Sequence, residues 1–367
     1  MKKICKRIAL VLAALLGVLL LLVGGYVLYM TLQYSRIPDN AALTVENPQT
    51  ASLQADKPYS ALTYNIGFGA YNHDFSFFMD GGTMKDGTAV HGTMGRAQSA
   101  EIVHTNTNGA IAALKDKAPD FCLLQEVDTK ATRSFGINQA NEITKALPDY
   151  GNVFASNFHS AYLAYPFNEP HGSVQAGLLT LTRYASREAV RRSYPVDDSF
   201  PTKFFDLDRC FSVLRLPVDN GKELVLINSH MSAYDKGGTV RVRQLALLNS
   251  VLAEEAASGN YVIVGGDFNH ALCGTETAFP SEQQVPAWVF TLSDSDLADG
   301  FAVVQADNLT AVATCRSTDM PYIAGVNYTS VLDGFIVSDN VKASAENIDL
   351  DFAYSDHNPV LLHFTLT

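Results

Sequence analysis

The stretch Tyr261-Val262-Ile263-Val264-Gly265-Gly266-Asp267-Phe268-Asn269-His270 carries the strongest fold signal in the chain. Its first four residues form a short apolar run bounded by glycine, which is typical of a fully buried strand. The two glycines predict a sharp turn after residue 264, with room for a ligand to approach the backbone. Asp267 and Asn269 are two residues apart and therefore point the same way in an extended chain. The stretch predicts a carboxylate and an amide facing one cleft at the end of a core strand. An Asp/Asn-rich turn without function would give the same local pattern.

The composition bounds the class of protein. The chain has 367 residues, of which 47% are apolar, enough for the core of one large α/β domain plus a tail. Its formal net charge of −12 argues against broad attraction to a nucleic-acid backbone, which needs a surface of Lys and Arg. A small phosphate ester held by a metal ion is not excluded by this charge.

The first 36 residues form a separate unit. A basic stub over residues 1–7 precedes a run from Ile8 to Ser35 that contains no charged residue, long enough to cross a bilayer as a helix. No small-x-small cleavage site follows the run, so an uncleaved signal anchor is favoured over a cleaved signal peptide. The basic stub predicts a cytoplasmic N-terminus, with the rest of a single-pass protein outside the cell membrane. Residues 37–57 are polar, contain Pro38 and Pro48, and are expected to form a linker.

Residues 58–367 are expected to form one catalytic domain. Periodicity predicts helices over 101–117 and 239–257 and the start of another over 142–147, together with a hairpin over 210–227. Further strands are expected over 59–66, 121–127, 177–182, 261–264, 330–338 and 361–366. Residues 68–100 show no clear period. Their aromatic residues Phe75, Phe77 and Phe78 either pack within their own loop, line a substrate groove or touch the bilayer.

The five cysteines carry limited information. Cys122 lies in an apolar run and is expected to be a free buried thiol. Because an exported domain permits disulfides, a Cys273–Cys315 bridge is a hypothesis. No Cys or Cys/His spacing indicates a zinc site.

Polar side chains occur at or beside the ends of several predicted strands. Since ligands collect at strand ends in layered α/β proteins, these side chains are expected to form one site. Carboxylate and amide oxygens are ligands suited to Mg²⁺ or another divalent cation, a carboxylate can accept a proton from water, and a buried carboxylate can orient a histidine. These are the parts needed to hydrolyse a phosphate ester. The residues are Asn65, Glu126, His230, Asp267, Asn269, Asp333, Asp356 and His357.

Six short motifs in this order resemble the endonuclease/exonuclease/phosphatase superfamily. The resemblance runs from about residue 59 to the C-terminus. It implies a four-layer α/β sandwich of two packed mixed β-sheets, here preceded by one N-terminal transmembrane helix, and metal-dependent hydrolysis of phosphoesters. The motifs are Thr63-Tyr64-Asn65-Ile66, Leu124-Gln125-Glu126-Val127, Asn228-Ser229-His230, Gly266-Asp267-Phe268-Asn269, Leu332-Asp333-Gly334-Phe335 and Ser355-Asp356-His357-Asn358-Pro359-Val360.

The resemblance also implies residue roles. Glu126 would be the principal ligand of Mg²⁺ (or Mn²⁺ or Ca²⁺), with Asn65 and Asp356 nearby. Asp267 would activate or position the attacking water and Asn269 would hold the phosphate. His357, paired with Asp333, would stabilise the transition state. His230 would contact a phosphate oxygen or the leaving group.

The sequence narrows the class of substrate without identifying the substrate. The Trp-Cys-Asp-Arg signature of inositol-polyphosphate 5-phosphatases is replaced here by Val331-Leu332-Asp333-Gly334. An exported acidic domain also fits poorly with intracellular repair nucleases. Membrane anchoring through residues 8–35 favours a phospholipid or another envelope-associated phosphodiester, with a secreted-type nuclease on DNA or RNA as the alternative. A non-catalytic binding module on the same scaffold is a third hypothesis, and no obligate protein partner is evident.

Overall fold

Two β-sheets packed face to face form the body of the protein, with helices on their outer faces. A computed structural model describes residues 2–233 and 237–367. Each of the two large sheets has seven strands and mixes parallel with antiparallel pairs. This architecture confirms the predicted four-layer α/β sandwich.

The elements have the following bounds. The helices are α1 (Lys2–Gln33), α2 (Ala100–Lys117), α3 (Gln139–Ala146) and α4 (Thr239–Ala257). The strands are β1 (Ala41–Ala42), β2 (Val45–Glu46), β3 (Pro58–Asn65), β4 (Gly81–Thr83), β5 (Ala89–His91), β6 (Phe121–Asp128), β7 (Gly151–His159), β8 (Gln175–Thr182), β9 (Glu188–Ser193), β10 (Cys210–Pro217), β11 (Glu223–His230), β12 (Tyr261–Asp267), β13 (Ala271–Leu272), β14 (Thr291–Leu292), β15 (Phe301–Val303), β16 (Cys315–Arg316), β17 (Thr329–Ser330), β18 (Asp333–Ser338), β19 (Val341–Asn347) and β20 (Val360–Leu366).

The strand order explains how the two sheets meet. The first sheet has the order β1-β9-β10-β11-β12-β18-β15, and the second has the order β19-β20-β3-β6-β8-β7-β2. The predicted hairpin over 210–227 is present as β10 and β11, which pair antiparallel. The single strand expected over 330–338 is instead divided into β17 and β18, which belong to different sheets.

Most of the interior between the sheets is apolar and buried. Phe121 and Leu123 of β6 belong to the same cluster as Ile263 of β12. Burying a side chain of this size stabilises the fold by about 1.5–3 kcal/mol. A Cβ on Gly265 would lie 2.5 Å from a methyl carbon of Leu123, so this glycine lets the two sheets approach closely.

Strand β12 extends farther than the sequence predicts. Both Gly265 and Gly266 lie inside it and pair with β11 and β18. The expected turn after Val264 is therefore wrong. A Cβ on Gly266 would lie 1.9 Å from the carbonyl oxygen of Ser229, so close strand packing explains this glycine.

Helices cover the outer face of each sheet. Leu114 of α2 and Ile143 of α3 pack on the second sheet. Leu248 and Leu252 of α4 pack on the first. The Ser99 side chain caps α2 by accepting a hydrogen bond from the backbone N–H of Ile102, a pairing that satisfies one of the free N–H groups at a helix start.

The N-terminal part of the chain has two contrasting segments. Helix α1 is long and apolar enough to cross a membrane by its length and composition, with a mean hydropathy of 2.9 in its most apolar window. After it, β1 pairs with β9 in the first sheet and β2 pairs with β7 in the second. The segment 37–57, expected as a linker, thus adds an edge strand to each sheet, and we call it the strap. The division into 1–36, 37–57 and 58–367 stays a prediction.

The cysteine hypotheses have different outcomes. Cys122 is a free buried thiol, as expected. Cys273 and Cys315 are also free, so the hypothesis of a bridge between them is wrong. Cys315 instead lies in a β-bridge opposite His357, where its backbone helps to frame the site.

The aromatic residues of the segment 68–100 pack mainly on one another. Phe75 and Phe77 are buried in a cluster with Phe68 and Tyr71. Phe77 and Phe78 also line the large cavity described below. Packing within the segment is thus confirmed, while a substrate groove and contact with the bilayer stay predictions.

Candidate active site

In the first sheet, the pairing register of neighbouring strands brings three predicted site residues together at the strand ends. The parallel pairing of β11 with β12 places His230 opposite Asp267. The antiparallel pairing of β12 with β18 places Asp267 opposite Asp333. Asn269 follows β12 with a φ of +50°, and its backbone N–H donates to Asp267 Oδ1 over 2.9 Å.

The second sheet supplies the other side of the same edge. Parallel β3 and β6 place Asn65 opposite Gln125, one residue before Glu126. The pairing of β6 with β8 is irregular here, and Glu126 has a φ of +55°. Such a bulge re-aims a side chain, and a left-handed non-glycine residue is held only where its surroundings enforce it. The segment before β20 carries Asp356 and His357.

The carboxylate of Asp267 is the centre of the arrangement. Its Oδ2 atom accepts a hydrogen bond from Asn65 Nδ2 over 3.0 Å. The same oxygen lies 3.7 Å from His357 Nε2 and 3.5 Å from His230 Nε2. Asp267 is almost wholly buried, yet it lines the cavity. The two sheets therefore converge on one carboxylate oxygen.

His357 and Asp333 form a buried ion pair. His357 Nδ1 donates to Asp333 Oδ2 over 2.7 Å. Burial alone would lower the pKa of His357, but the surrounding carboxylates, Asp333 first, outweigh it and raise the pKa well above its usual value. Burial raises the pKa of Asp333 to about 6, against the opposing effect of His357. His357 is thus an imidazolium whose Nε2–H group faces the cavity.

His230 has the opposite protonation state. Burial, and then the positive charge of Arg209, lower the pKa of His230 well below its usual value. Arg209 Nη1 lies 2.6 Å from His230 Nε2, which fits donation by the guanidinium to a neutral ring. The site thus contains one charged and one neutral histidine.

The predicted metal ligands fit a divalent cation only in part. Burial raises the pKa of Asp356 to about 7, and the charge of Glu126 adds to this effect. The raised pKa indicates that the carboxylates of Glu126 and Asp356 lie close together. Two such carboxylates offer the hard oxygen ligands that suit a cation such as Mg²⁺. The Asn65 oxygen, however, accepts from the Gly67 N–H over 3.0 Å, so its NH₂ group faces the carboxylates.

A second group of potential ligands lies beside the first. Ligand atoms of Asp267, Asp333 and His357 lie within 4.8 Å of one another. Because His357 is protonated and bound to Asp333, its positive charge already offsets one of the two carboxylate charges and its ring nitrogens are not free to bind a metal. Glu126 and Asp356 are therefore the better-suited pair.

A cavity of about 520 Å³ opens over the site. Its floor is polar and includes Glu126, His230, Asp267, Asn269, Asp356 and His357. Its lining surface is mostly apolar, and its walls include the aromatic residues Phe68, Tyr71, Phe77, Phe78, Phe158, Tyr165, Phe205 and Trp288 together with charged residues such as Arg133 and Arg316. A polar floor under apolar walls suits an amphiphilic ligand.

Arg209 and Asn157 are among the polar residues of this cavity that sequence reasoning missed. Arg209 is buried beside His230, and its Nε atom has no hydrogen-bond partner among the described residues. Asn157 on β7 is also buried, and neither atom of its amide has a partner in that part of the chain. Asn157 occupies an inward position of a strand with alternating burial, so recognising β7 would have revealed it.

The two arginines at the start of α4 differ in burial, and Arg243 is the exposed one. Arg241 is buried, and its Nη1 atom donates to the carbonyl oxygen of Asn269 over 2.8 Å. Its guanidinium also lies over the Phe290 ring. Arg241 therefore holds the loop that follows β12.

A two-sheet α/β sandwich with carboxylates and histidines gathered at one edge defines a hydrolase of phosphate esters. The chain belongs to the Endonuclease/Exonuclease/phosphatase family, whose model matches residues 62–357. Enzymes of this family are typically dependent on a divalent metal. No curated protein matches the chain by sequence.

Solved structures share the fold at low sequence identity. The endonuclease/exonuclease/phosphatase from Beutenbergia cavernae DSM 12333 aligns with a TM-score of 0.55 and 16% identity, over 84% of this chain and 72% of that one. ANGEL2, described as a 2',3'-cyclic phosphatase, gives 0.53 and 14% over 89% and 98% of the two chains. TDP2 from C. elegans gives 0.52 and 15% over 85% and 76%. At these identities the likeness supports the fold alone.

Proposed function

We propose that this protein is a Mg²⁺-dependent phosphodiesterase that is anchored in the cell membrane and acts outside the cytoplasm on a phospholipid or another envelope-associated phosphodiester. The observation that carries the proposal is the position of Asp267. Its Oδ2 atom lies between an amide donor, a charged histidine and a neutral histidine at the bottom of the cavity.

In this proposal Asp267 orients the attacking water and accepts its proton. Asn65 positions the carboxylate of Asp267, which accepts the proton. The NH₂ group of Asn65 donates one hydrogen bond to Asp267 and another to Glu126 Oε1, the latter over 3.3 Å. This role differs from the predicted one as a metal ligand, since the Asn65 oxygen is bound by the backbone of Gly67. The water would thus be activated by a general base, a step that contributes about 10²–10⁴-fold to a rate.

Charged donors would stabilise the negative charge that develops on the phosphate. His357 donates from Nε2, and Asp333 keeps its ring protonated and oriented. Arg209 adds a second positive charge beside His230, whose neutral ring contacts a phosphate oxygen or the leaving group. Asn269 holds the phosphate next to Asp267. Preorganised donors of this kind lower the barrier without reorganising during the reaction.

Glu126 and Asp356 would hold the cation, since both line the floor and their oxygens are the ligands that Mg²⁺ prefers. When bound, Mg²⁺ neutralises charge on the phosphate oxygens. Removing it with EDTA should therefore abolish turnover.

The substrate class is supported by the cavity walls and the net charge. Aromatic walls suit the apolar part of a lipid, and a net charge of −12 argues against a broad basic surface of the kind that binds nucleic-acid backbones. The basic residues before the apolar run of α1 support a cytoplasmic N-terminus and an extracytoplasmic domain.

The test uses the full chain in detergent and in lipid nanodiscs. Turnover is measured with Mg²⁺ and with EDTA on sphingomyelin, phosphatidylcholine, phosphatidylinositol, DNA, RNA and an aryl phosphodiester. The expected result is EDTA-sensitive lipid cleavage that is lost in His357→Ala and retained in His363→Ala, an exposed histidine on β20. Cleavage restricted to DNA or RNA would favour the nuclease. No cleavage and no Mg²⁺ binding by calorimetry would favour the non-catalytic binding module.

A further inference from the structure

The C-terminal turns of α1 are bound to the catalytic domain. Met30 is buried against it. The Tyr26 hydroxyl donates to the carbonyl oxygen of Tyr162 over 3.0 Å and accepts from the N–H of Ala164 over 3.1 Å. The N–H of Tyr162 in turn donates to the Tyr29 hydroxyl over 3.0 Å. The segment around residue 162 is thus fixed to this end of the helix.

The position of these contacts along α1 sets their depth in a membrane. An α-helix rises about 1.5 Å per residue, so about 20 apolar residues span the roughly 30 Å hydrocarbon core. The uncharged run begins at Ile8, and residues 8–27 fill that thickness. Tyr26 and Tyr29 then lie at the membrane–water interface, where tyrosine is enriched. The segment 162–164, which touches them, lies at the same level.

Segment 160–172 and the nearby segment 199–207 carry five of the seven exposed aromatic side chains among the described residues. Phe167 is 85% exposed, Phe200 63% and Tyr165 56%. Among the exposed aromatic residues of the described chain, only Phe135 lies outside α1 and the segments 160–172 and 199–207. A group of exposed aromatic residues this close to an apolar helix marks an interaction surface. We call Tyr162, Tyr165, Phe167, Phe200 and Phe205 the aromatic rim.

The aromatic rim is continuous with the mouth of the cavity. Tyr165 and Phe205 line the cavity and are exposed to solvent. Phe200 contacts Phe204 edge to face, and Phe204 packs in the same cluster as Met30 of α1. The opening above the polar floor therefore lies beside the point where α1 leaves its apolar run.

We propose that the aromatic rim lies in the interface of the bilayer that α1 crosses, so that a lipid phosphodiester enters the cavity directly from that leaflet. The inference rests on the proposed function for its substrate. The contact with the bilayer rests only on the rim and α1. The headgroup reaches the polar floor while the acyl chains stay between the aromatic walls and the membrane. Phe167 and Phe200 do not line the cavity, so their part is to hold the rim in the interface.

Depth-dependent fluorescence quenching tests the placement without any catalysis. Phe167→Trp and Phe200→Trp are made in the full chain, whose one native tryptophan, Trp288, gives a common background. The proteins are placed in phosphatidylcholine–phosphatidylglycerol nanodiscs that contain lipid with a nitroxide near the headgroup. Val242→Trp and Ile323→Trp are matched controls, because both residues are exposed and lie outside the rim. The added fluorescence at 167 and 200 should be quenched at least about twofold more than that of the controls. Equal quenching would overturn the proposal.

An activity comparison tests the entry route. The double variant Phe167→Ser, Phe200→Ser should cleave a soluble short-chain phosphodiester as the parent does, and should lose about 10-fold in kcat/KM on lipid in a bilayer. Equal losses on both substrates would contradict entry from the leaflet. Absence of turnover with strong quenching would refute the proposed function and leave the membrane contact standing. Turnover without stronger quenching at 167 and 200 would support the proposed function and refute the membrane contact.

Discussion

The interior of the sandwich and the floor of the cavity are both buried between the same two sheets, but they are built from opposite kinds of residue. On β12, Ile263 belongs to the apolar interior, while Asp267 lies four residues farther along the same strand. Four residues of strand cover about 13 Å. Over that distance the strand changes from residues that stabilise the fold to residues that are costly to bury. Variants at the two ends should therefore affect different properties.

The largest expected effect is on turnover, at the polar end. Asp267→Ala removes the proposed base and should lower kcat by about 10³-fold or more. Its melting temperature should be unchanged or higher, because a buried carboxylate is removed. Steady-state kinetics and thermal unfolding measure the two. Asp339→Ala, an exposed residue beyond β18, is the control. Near-normal turnover in Asp267→Ala would show that the polar end of β12 does not carry the catalytic function.

The apolar end should show the reverse pattern. Ile263→Ala leaves a cavity between the sheets and should lower the free energy of unfolding by about 2–5 kcal/mol. Turnover per folded molecule should be unchanged, because the side chain is distant from the floor. Denaturant unfolding measures the free energy of unfolding, and the exposed Val242→Ala is the control. Active-site titration gives the turnover per folded molecule. A loss of turnover comparable to that of Asp267→Ala would show that the two ends are coupled.

Asn157 sharpens the comparison because it is a polar cavity residue whose amide has no hydrogen-bond partner within residues 2–233 and 237–367. Asn157→Leu should raise stability by about 1 kcal/mol, since a buried unsatisfied amide is removed. If the amide contacts the substrate, kcat/KM should fall by about 10-fold. Asn152→Leu, half-buried on the same strand, is the control. A stable variant with full activity would place Asn157 outside substrate binding.

A pH-dependent effect is expected from a polar residue within the cavity wall. Burial, and then the charge of Arg133, lower the pKa of His171 to about 3. Below pH 6.5 the unfolded chain gains a proton that the folded chain does not. His171 therefore lowers stability as the pH falls from about 6.5 toward 3, by about 1.4 kcal/mol per pH unit. His171→Gln should show a shallower pH dependence of the free energy of unfolding between pH 6.5 and 5. An identical slope would contradict the assignment.

The sandwich and the gathering of the eight predicted residues at one edge could be anticipated from the sequence. Each of those residues lies at or beside a strand end, and parallel strands end at a common edge. The roles assigned to these residues stay predictions. The fit of Asn65 as a ligand could not be judged in advance, because it depends on which of its amide atoms the Gly67 backbone binds.

Other features depend on tertiary contacts that no local pattern shows. In the sequence, Arg209 looks like any charged residue before a strand. Its position beside His230 depends on the pairing of β10 with β11, which brings Cys210 opposite His230. The glycines of β12 read as a turn, although their purpose is to let neighbouring backbone and side chains approach. The short strands of the strap have no periodicity, since two-residue pairs are fixed by the edges that they join.

The strap determines how far the active site can travel. A flexible segment of the same 21 residues would let the domain move about 25 Å from the end of α1. Pairing with an edge of each sheet, and the burial of Leu53 in the core, remove that freedom. The enzyme would then search for substrate in two dimensions. With the proposed lipid substrate, its rate would follow the surface density of that lipid in its own membrane, and dilution of the cells would leave that rate unchanged.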